Sequence, residues 1–293
     1  MNPVVRLSAA SVLSGLAAGA LVSGQRLPNE PPRQFGAGVT PAFEGWFDSE
    51  DGSHNFLVGY LNRNSRQSID VAVGPNNRIE PGGPDLGQPT HFLPGRQYGV
   101  LLLNVPKGFT RDQRLTWTIT ANGQTLAVPF RLHVDYNVSP LGIPTDPNRP
   151  PVLRLFDEKG PTIQGPLATM AKALARTTSV GAPLELPLWV TDDAHYSSGS
   201  NAPLRNPPAP VALLWTKYRG PGAVTFEGAQ PPVETVSGGK VAEPFAGKAA
   251  TTAKFSAPGE YLLHLTVNDY SGPGGDGEVC CWTTQLVRVT VTQ

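Results

Sequence analysis

Acidic side chains are concentrated in two segments of the C-terminal half of the chain. The first segment begins at Asp192 and runs through an insert to Pro210, and the second runs from Asp269 to Glu278. Carboxylates and backbone carbonyls are the ligands that a hard cation such as Ca²⁺ prefers. If the two segments meet, they predict a calcium site with these ligands: Asp192, Asp193, Asp269, Asp276 and Glu278. The alternative is a pair of solvated loops, because Asp and Gly are also ordinary turn residues.

Aromatic side chains accompany these carboxylates and suggest a contact surface. Tyr196 lies in the first segment, Tyr270 lies in the second, and Trp189 points outward from its strand by alternation. Aromatic rings that present an apolar body and a polar edge are well suited to contacts with sugars or with another protein. We therefore expect these three side chains to contact a protein or carbohydrate ligand.

The two cysteines of the chain are adjacent, at Cys280 and Cys281. An oxidising compartment favours closure of such a pair. Neighbouring Cα atoms are about 3.8 Å apart across a trans peptide, which is below the usual disulfide range, so a vicinal disulfide requires a distorted turn. The alternatives are one buried thiol beside Trp282 with a second at the surface, or a metal site that adds His195. The pair lacks the two-by-two ligand spacing typical of zinc sites.

Sequence signatures of common catalytic sites are absent. The chain has no G-x-S-x-G, H-E-x-x-H, Walker or C-x-x-C motif. His133 and His264 fall on the outward faces of predicted strands, where a solvated imidazole is expected. The two carboxylates of a glycoside hydrolase can lie far apart in the sequence, and no pattern identifies such a pair here. We therefore expect a protein that is not an enzyme.

The composition narrows the class of protein further. Lys plus Arg and Asp plus Glu each number 23, and this charge balance argues against nucleic-acid binding. The 32 glycines and 31 prolines exclude a helical bundle, because both residues disfavour helices. A hydrophobic content of 39% still permits a substantial core. The composition indicates a turn-rich, all-β protein.

The N-terminal residues 1–24 have the features of a secretory signal peptide. Arg6 supplies a positive charge, residues 7–22 are uncharged and mostly apolar, and small residues precede Gln25, the expected mature N-terminus. A competing cleavage site follows Ala20, and the alternative to cleavage is an uncleaved anchor. No other apolar run approaches the roughly 18 residues that span a bilayer, so no transmembrane span is expected after signal removal. We expect a secreted, periplasmic or surface-associated protein.

The first half of the remaining chain predicts one antiparallel sandwich over residues 42–136, after a flexible lead-in at 25–41. Large residues alternate with threonines from Leu115 to Thr120, and Asn122-Gly123 predicts a type I′ hairpin turn. Residues 98–105 are apolar on both faces and predict a central strand. Residues 137–151 hold five prolines and predict a semi-rigid linker.

A second antiparallel sandwich is predicted for residues 152–293. Alternating apolar residues recur around Leu186, Leu213 and Leu265 and in the C-terminal segment, with Gly- and Pro-rich turns between them. Residues 167–176 have helical propensity and predict one short helix. The predicted fold is thus all-β, with two tandem immunoglobulin-like sandwiches.

Several segments of the second half resemble the PKD-type (polycystic-kidney-disease-like) immunoglobulin-like domains. The segment WTKYRGPG at 215–222, followed by VTF at 224–226, resembles the central strand and turn of that family. FSAPGEY at 255–261 and LTVND at 265–269 are similar to its penultimate strand. The resemblance implies a secreted adhesive, spacer or accessory module without catalysis. Two features depart from the family, the insert at 194–210 and the cysteine pair.

In this fold, Trp215 is expected to fill the core and the Tyr261 hydroxyl to bond back to the preceding corner. The two acidic segments are expected at one end of the sandwich, since the loops after the second strand and before the last strand lie together there. The sequence therefore predicts an exported, non-catalytic binding or spacer protein that contacts its ligand through the loops at this end of the second sandwich. The alternatives are an accessory or hydrolytic enzyme with a site between the two domains, and a structural subunit of a surface assembly built by edge-strand addition.

Overall fold

The alternating segments of both halves form β-strands around two separate hydrophobic cores. The structure is a computed structural model that describes residues 33–142, 147–194, 210–238, 243–269 and 281–293. Within these ranges the helical elements are two single-turn 3₁₀ helices, Val134–Tyr136 and Met170–Lys172. The predicted all-β fold of two immunoglobulin-like sandwiches is confirmed. The described residues belong to one compact unit, Pro32–Gln293, and the predicted signal peptide lies outside them.

The first sandwich has two three-stranded sheets, with orders β1-β2-β6 and β4-β7-β8, and a small sheet of β3 and β5. Its strands have these bounds: β1 (Val39–Asp48), β2 (His54–Asn62), β3 (Ile69–Asp70), β4 (Asn77–Glu80), β5 (His91–Phe92), β6 (Gly95–Val105), β7 (Leu115–Ala121) and β8 (Gln124–Phe130).

Alternating residues of the two sheets meet in the first core. Phe56 of β2 and Trp117, Ile119 and Phe130 of the facing sheet have 0% exposed surface. Full burial of each such side chain stabilises the fold by about 1.5–3 kcal/mol. The indole nitrogen of Trp117 donates to Asn77 Oδ1 at 2.9 Å, so its polar atom is satisfied inside the core.

The hairpin between β7 and β8 forms as predicted. Ala121 pairs with Gln124, which leaves a two-residue loop. Asn122 has φ 49° and Gly123 has φ 73°, the positive values that a type I′ turn requires. Strand β8 lies at the edge of its sheet, as expected for a strand that contains Pro129.

The prediction of a central strand at residues 98–105 is wrong, because β6 lies at the edge of its sheet. Its two faces are apolar for another reason. Leu101 and Leu103 pack into the first core, whereas Leu102 packs against Trp282 of the second sandwich. The second apolar face of β6 therefore serves the contact between the sandwiches.

The second sandwich has a five-stranded sheet with order β10-β9-β13-β17-β16, a four-stranded sheet with order β11-β20-β19-β14, and a small sheet with order β12-β18-β15. Its strands have these bounds: β9 (Val152–Leu155), β10 (Ile163–Gln164), β11 (Leu174–Ser179), β12 (Leu184–Glu185), β13 (Leu188–Asp192), β14 (Val211–Arg219), β15 (Val224–Phe226), β16 (Glu234–Ser237), β17 (Phe245–Ala249), β18 (Thr252–Phe255), β19 (Gly259–Asp269) and β20 (Trp282–Thr292).

The predicted short helix at residues 167–176 is wrong. Only Met170–Lys172 form a 3₁₀ turn, and the chain then enters β11, which pairs in parallel with β20. Leu174 packs against the second core from this strand. Tertiary pairing at the sheet edge thus overrides the local helical propensity.

The second core forms as the sequence predicts. Trp215 is 1% exposed, and Tyr261 packs beside Phe255 with ring centroids 4.8 Å apart. The Tyr261 hydroxyl donates to the Ala257 carbonyl at 2.8 Å, which is the predicted bond back to the preceding corner. Gly220 lies against the Tyr261 ring where a Cβ would collide with it, so this position of the WTKYRGPG segment requires glycine.

The outer face of the four-stranded sheet packs on the β2–β6 face of the first sandwich. One apolar cluster joins Leu57 and Leu102 to Trp282. A second cluster joins Tyr218, Leu262 and Leu286 to Val100, Met170 and other neighbours. The two sandwiches are therefore held by a shared apolar layer in addition to the connecting chain.

Polar bonds cross the same interface. The Tyr218 hydroxyl donates to the Gly87 carbonyl at 2.7 Å. The Arg219 guanidinium donates to both carboxylate oxygens of Asp85, at 2.8 and 3.0 Å. The amide of Thr90 donates to the Tyr218 carbonyl at 3.1 Å. Bidentate and buried contacts of this kind fix orientation as well as adding energy.

The described parts of the predicted linker are bonded to both sandwiches. Near its start, the Val138 amide donates to the Trp46 carbonyl at 2.9 Å. Near its end, the Arg149 amide donates to Asp193 Oδ2 at 2.9 Å. Residues 143–146 of this segment lie outside the described residues.

Candidate functional site

The structure brings together three of the predicted calcium ligands, Asp192, Asp193 and Asp269, which we call the acidic pole. Asp192 ends β13 and Asp269 ends β19, on the two facing sheets of the second sandwich. Asp192 is 8% exposed and Asp269 is 5% exposed. Burial raises the pKa of Asp192 to about 7, helped by the negative charges of Asp193 and Asp269. Two strand ends thus place mutually repelling carboxylates close together.

Asp192 and Asp193 of the acidic pole both accept hydrogen bonds from backbone amides. Asp192 Oδ1 accepts from the Ala194 amide at 2.8 Å, and its Oδ2 is buried without a hydrogen-bond partner among the described residues. Within the described ranges, no group of three or more His, Cys, Asp or Glu side chains could hold a metal ion. Asp276 and Glu278 lie outside these ranges. The calcium site therefore stays a prediction.

Of the three aromatic residues predicted to contact a ligand, the structure describes one. Trp189 is partly exposed on β13, where it pairs with Arg154 and Lys248 of the neighbouring strands. Tyr196 and Tyr270 lie outside the described residues.

The described member of the cysteine pair is buried. Cys281 is 1% exposed and is not a free thiol. Cys280 lies outside the described residues. The predicted vicinal disulfide therefore stays a prediction.

The expectation of a solvated imidazole is wrong for His264. The side chain points outward from its own sandwich, yet it is 4% exposed because the first sandwich covers that face. Burial lowers the pKa of His264 to about 4, which keeps the imidazole neutral at physiological pH. By contrast, the side chain of His133 is 40% exposed, as expected.

His264 lines a cleft of about 220 Å³ between the two sandwiches, which we call the inter-sandwich cleft. The first sandwich contributes residues of β2, β5 and β6 and the turns between them, among them Tyr60, His91, Arg96, Gln97 and Tyr98. The second contributes residues of β14 and β19, among them Thr216, Lys217, His264, Thr266 and Asn268. The cleft is thus a gap lined by both polar and apolar side chains beside the apolar interface.

A double bulge shapes the first wall of the cleft. The register between β2 and β6 shifts at Gly59, and the register between β1 and β2 shifts at Glu44. The Glu44 carboxylate accepts from the Gly99 amide at 2.7 Å and from Arg96 at 2.8 Å. The Arg96 guanidinium also lies 4.2 Å from the centre of the Tyr98 ring. Burial raises the pKa of Glu44 to about 7 against the opposing effects of Arg96 and Gly99.

Asp70 bonds to two residues that line one side of the cleft, His91 and Lys217. Asp70 Oδ1 lies 2.9 Å from His91 Nδ1 and 3.2 Å from Lys217 Nζ, so it links the two sandwiches. Burial would raise the pKa of Asp70, but His91 and Lys217 outweigh that effect and hold the pKa below its usual value. The charge of Lys217, which lines the cleft, is therefore balanced by the Asp70 carboxylate.

Three outward residues of β19 line the cleft from the second sandwich. His264, Thr266 and Asn268 alternate on this face, and His264 Nδ1 lies 3.4 Å from Thr266 Oγ1. His264 Nε2 and Asn268 Oδ1 are buried without hydrogen-bond partners in the described part of the chain. Burying such groups unsatisfied costs about 1–3 kcal/mol each. The cleft thus presents polar atoms that lack a protein partner among the described residues.

The sequence suggests a site between the two domains only as an alternative and assigns no residue to it, so the residues of the inter-sandwich cleft were missed. One signal was present, since β6 is apolar on both faces although it lies at a sheet edge. A second was the bulky Tyr218 on the same outward face as Leu262. Together these apolar residues indicate a sheet face that packs against another part of the protein. The polar residues beside them lie where the two faces do not meet.

No family model matches the chain, and no curated protein sequence matches it. Among solved structures, the chain is similar to domains 4 and 5 of the S-layer protein SbsC. The sequence identity is 10% and the TM-score 0.21, and the match covers 88% of this chain and 98% of that one.

The chain is also similar to dimeric latent PorU from Porphyromonas gingivalis, at 11% identity and a TM-score of 0.25, over 87% of this chain and 24% of that one. A third similar structure is Titin-A168169, at 9% identity and a TM-score of 0.20, over 86% of this chain and 99% of that one. At these TM-scores the likenesses support no inference about function. Among the residues that the structure describes, no helix is long and apolar enough to cross a membrane.

Proposed function

We propose that the protein is an exported, non-catalytic binding and spacer module. The observation that carries this proposal is the interface between the two sandwiches. Apolar contacts of Trp282 and the bidentate pair between Arg219 and Asp85 hold the sandwiches in one orientation. A spacer or presenter of binding loops benefits from such fixed geometry, because a rigid scaffold reduces the entropic cost of ordering its loops on binding.

The resemblance of the second sandwich to PKD-type domains supports the same proposal. The residues that carry the resemblance have structural roles in the core, since Trp215 is buried and Tyr261 bonds to the Ala257 carbonyl. Domains of that type act as secreted adhesive or spacer modules. The proposal therefore assigns this chain to the periplasm, the cell surface or the exterior.

Ligand contact at the acidic pole forms part of the proposal. Asp192 and Asp269 are close enough for their charges to interact, and Asp192 Oδ2 is buried without a partner among the described residues. A calcium ion bound there would neutralise the repulsion and order the adjoining loops for contact with a surface protein or carbohydrate. Calorimetric titration of the full chain with calcium, combined with thermal melting, tests this step. The proposal is supported if calcium releases or absorbs heat and raises the melting temperature, and if Asp192→Asn weakens both effects. The absence of both effects in the wild type contradicts it.

The enzyme alternative places its site between the sandwiches, where the cleft brings His91 and His264 together with residues of both halves. The residues that line the cleft include no serine, cysteine or carboxylate side chain. Paired-carboxylate hydrolysis requires two such carboxylates. The described lining therefore favours binding over hydrolysis of that kind in this cleft.

The assembly alternative has one supporting observation. Strand β16 lies at a sheet edge, all its residues are exposed, and Val236 is 62% exposed. An exposed edge is a template for strand addition. Sedimentation of the full chain at high concentration distinguishes assembly from the spacer proposal. Assembly through β16 predicts oligomers, and Val236→Lys is expected to dissociate them.

Export is tested by fractionation of the native cells followed by N-terminal sequencing. The proposal expects the protein outside the cytoplasm with Gln25 or Leu21 as its first residue. Recovery of the protein in the cytoplasm with residues 1–24 intact would contradict it.

A further inference from the structure

We infer that the inter-sandwich cleft is a binding site for a small, neutral, hydroxyl-rich molecule of the size of one monosaccharide. The site is distinct from the acidic pole, so the inference goes beyond the proposed function. It depends on the juxtaposition of polar atoms without protein partners, balanced charges and an aromatic wall within one enclosed gap.

The size of the cleft limits the ligand to one small unit. Its volume is about 220 Å³, and sites for drug-sized ligands have roughly 300–1,000 Å³. The cleft is also bounded on both sides, by β6 of the first sandwich and by β14 and β19 of the second. A single sugar ring fits this gap, whereas a peptide or an extended glycan does not.

The charges in the cleft favour a neutral ligand. Arg96 donates to Glu44 at 2.8 Å, and Lys217 lies 3.2 Å from Asp70. Each cation therefore already has a carboxylate partner. An anionic ligand would have to compete with these carboxylates, and it would lose its own hydration without gaining an uncompensated cation.

The polar atoms without protein partners favour hydroxyl groups. Asn268 Oδ1 is an acceptor and requires a donor, whereas His264 Nε2 donates or accepts according to the tautomer. A hydroxyl group donates one hydrogen bond and accepts others, so adjacent hydroxyls on one ring can satisfy both atoms. Thr216 and Thr266 add hydroxyls of the protein to the same wall.

The remaining lining suits the C–H face of a sugar ring. Tyr98, Val100 and Leu214 supply apolar surface next to these polar atoms. Small-molecule sites combine such surface with a few well-placed polar groups that fix the ligand orientation. A linear alcohol with one hydroxyl would use the apolar surface but leave one of the two buried polar atoms unsatisfied.

Saturation-transfer NMR on the full chain tests the inference, with D-glucose, D-galactose, D-mannose and N-acetylglucosamine as probes and glucuronate as a charged probe. We expect at least one neutral sugar to bind with an affinity in the millimolar range or tighter, and glucuronate to bind more weakly. Asn268→Leu removes the acceptor and is expected to weaken binding about tenfold. The matched control is Asn76→Leu, since Asn76 is exposed and outside the cleft, and it is expected to leave binding unchanged.

A second measurement keeps the test decisive if Asn268→Leu does not fold. The ¹⁵N shifts of the His264 ring are expected to move when the bound sugar is added to the wild-type protein, while those of His133 stay constant. The inference is overturned if no neutral sugar binds, which would mean that water alone fills the cleft. It is also overturned if binding is unaffected by Asn268→Leu, if the His264 shifts stay constant, or if only glucuronate binds.

Discussion

The indole of Trp282, on the second sandwich, lies directly against the backbone of Gly99, on the first. A Cβ placed on Gly99 would lie 2.6 Å from Trp282 Cζ2 and 2.7 Å from its Nε1. Gly99 has φ 54° in the bulge of β6, and its amide donates to the buried Glu44 carboxylate at 2.7 Å. A buried carboxylate of β1 thus holds the backbone segment on which the second sandwich packs.

The variant Gly99→Ala tests this contact. The added methyl group must displace the Trp282 ring or the bulge, and overpacking of this kind typically costs about 1–3 kcal/mol. Gly95→Ala is the matched control, because Gly95 also has a positive φ, 80°, but an added Cβ would meet no atom within 4 Å. Urea unfolding is expected to show a larger loss for Gly99→Ala than for Gly95→Ala. Equal losses would mean that the two sandwiches do not depend on this contact.

The strands were predictable wherever one face alone is buried. The alternation from Leu115 to Thr120 and the Asn122-Gly123 turn act locally, so the hairpin follows from its own residues. Trp215 and Tyr261 were likewise readable, since a large aromatic residue inside an alternating segment is expected in the core.

The errors share one physical cause, which is contact between residues far apart in the chain. His264 is buried because the first sandwich covers it, and β6 is apolar on both faces because it contacts two cores. The expected helix was lost to parallel pairing of β11 with β20. Alternation within one segment carries no information on what lies over its outward face. The alternation that predicted the strands therefore does not identify which residues line the cleft.

The pair between Arg219 and Asp85 is expected to couple the two sandwiches energetically. The side chain of Arg219 is 14% exposed and that of Asp85 is 49% exposed, so solvent screens the pair in part. A double-mutant cycle with Arg219→Met and Asp85→Asn is expected to give a coupling of about 0.5–1 kcal/mol. The cycle for Arg78 and Glu80, which form an exposed pair within one strand, serves as the reference and is expected to give less. No coupling between Arg219 and Asp85 would show that the apolar layer alone joins the sandwiches.

The acidic pole predicts a specific dependence of stability on pH. The pKa of Asp192 is raised from 3.8 to about 7 in the folded protein, first by burial and then by Asp193 and Asp269. The folded state therefore holds a proton that the unfolded chain has already released, and the free energy of unfolding falls as pH rises from about 4 to about 7. Asp192→Asn keeps an oxygen for the Ala194 amide and removes this titration.

Urea unfolding between pH 4 and pH 8 measures the effect. Asp192→Asn is expected to be more stable than the wild type at pH 8 and to show a shallower fall with rising pH. The pKa of Glu44 is also raised to about 7, so part of the fall persists in the variant. The exposed Asp112→Asn removes the same charge elsewhere and is expected to keep the wild-type profile. A wild-type profile for Asp192→Asn would contradict the raised pKa.

The cysteine pair makes a prediction about mass. An exported chain with a vicinal disulfide between Cys280 and Cys281 is lighter by two hydrogens than its reduced form, and it does not react with an alkylating reagent before reduction. Intact mass measured with and without reductant checks this. Modification of Cys281 in the unreduced, denatured protein would show that the predicted bond is absent.

The tyrosine corner of the second sandwich is expected to stabilise the fold through one hydrogen bond. The Tyr261 hydroxyl donates to the Ala257 carbonyl at 2.8 Å, while its ring fills the space beside Gly220. Tyr261→Phe keeps the ring and removes the donor, and it is expected to lower the free energy of unfolding by about 1 kcal/mol. Tyr136→Phe is the control, since Tyr136 is 47% exposed and loss of its hydroxyl is expected to change little. Equal stability of Tyr261→Phe and the wild type would show that this residue of the PKD-like segment stabilises the fold through its ring alone.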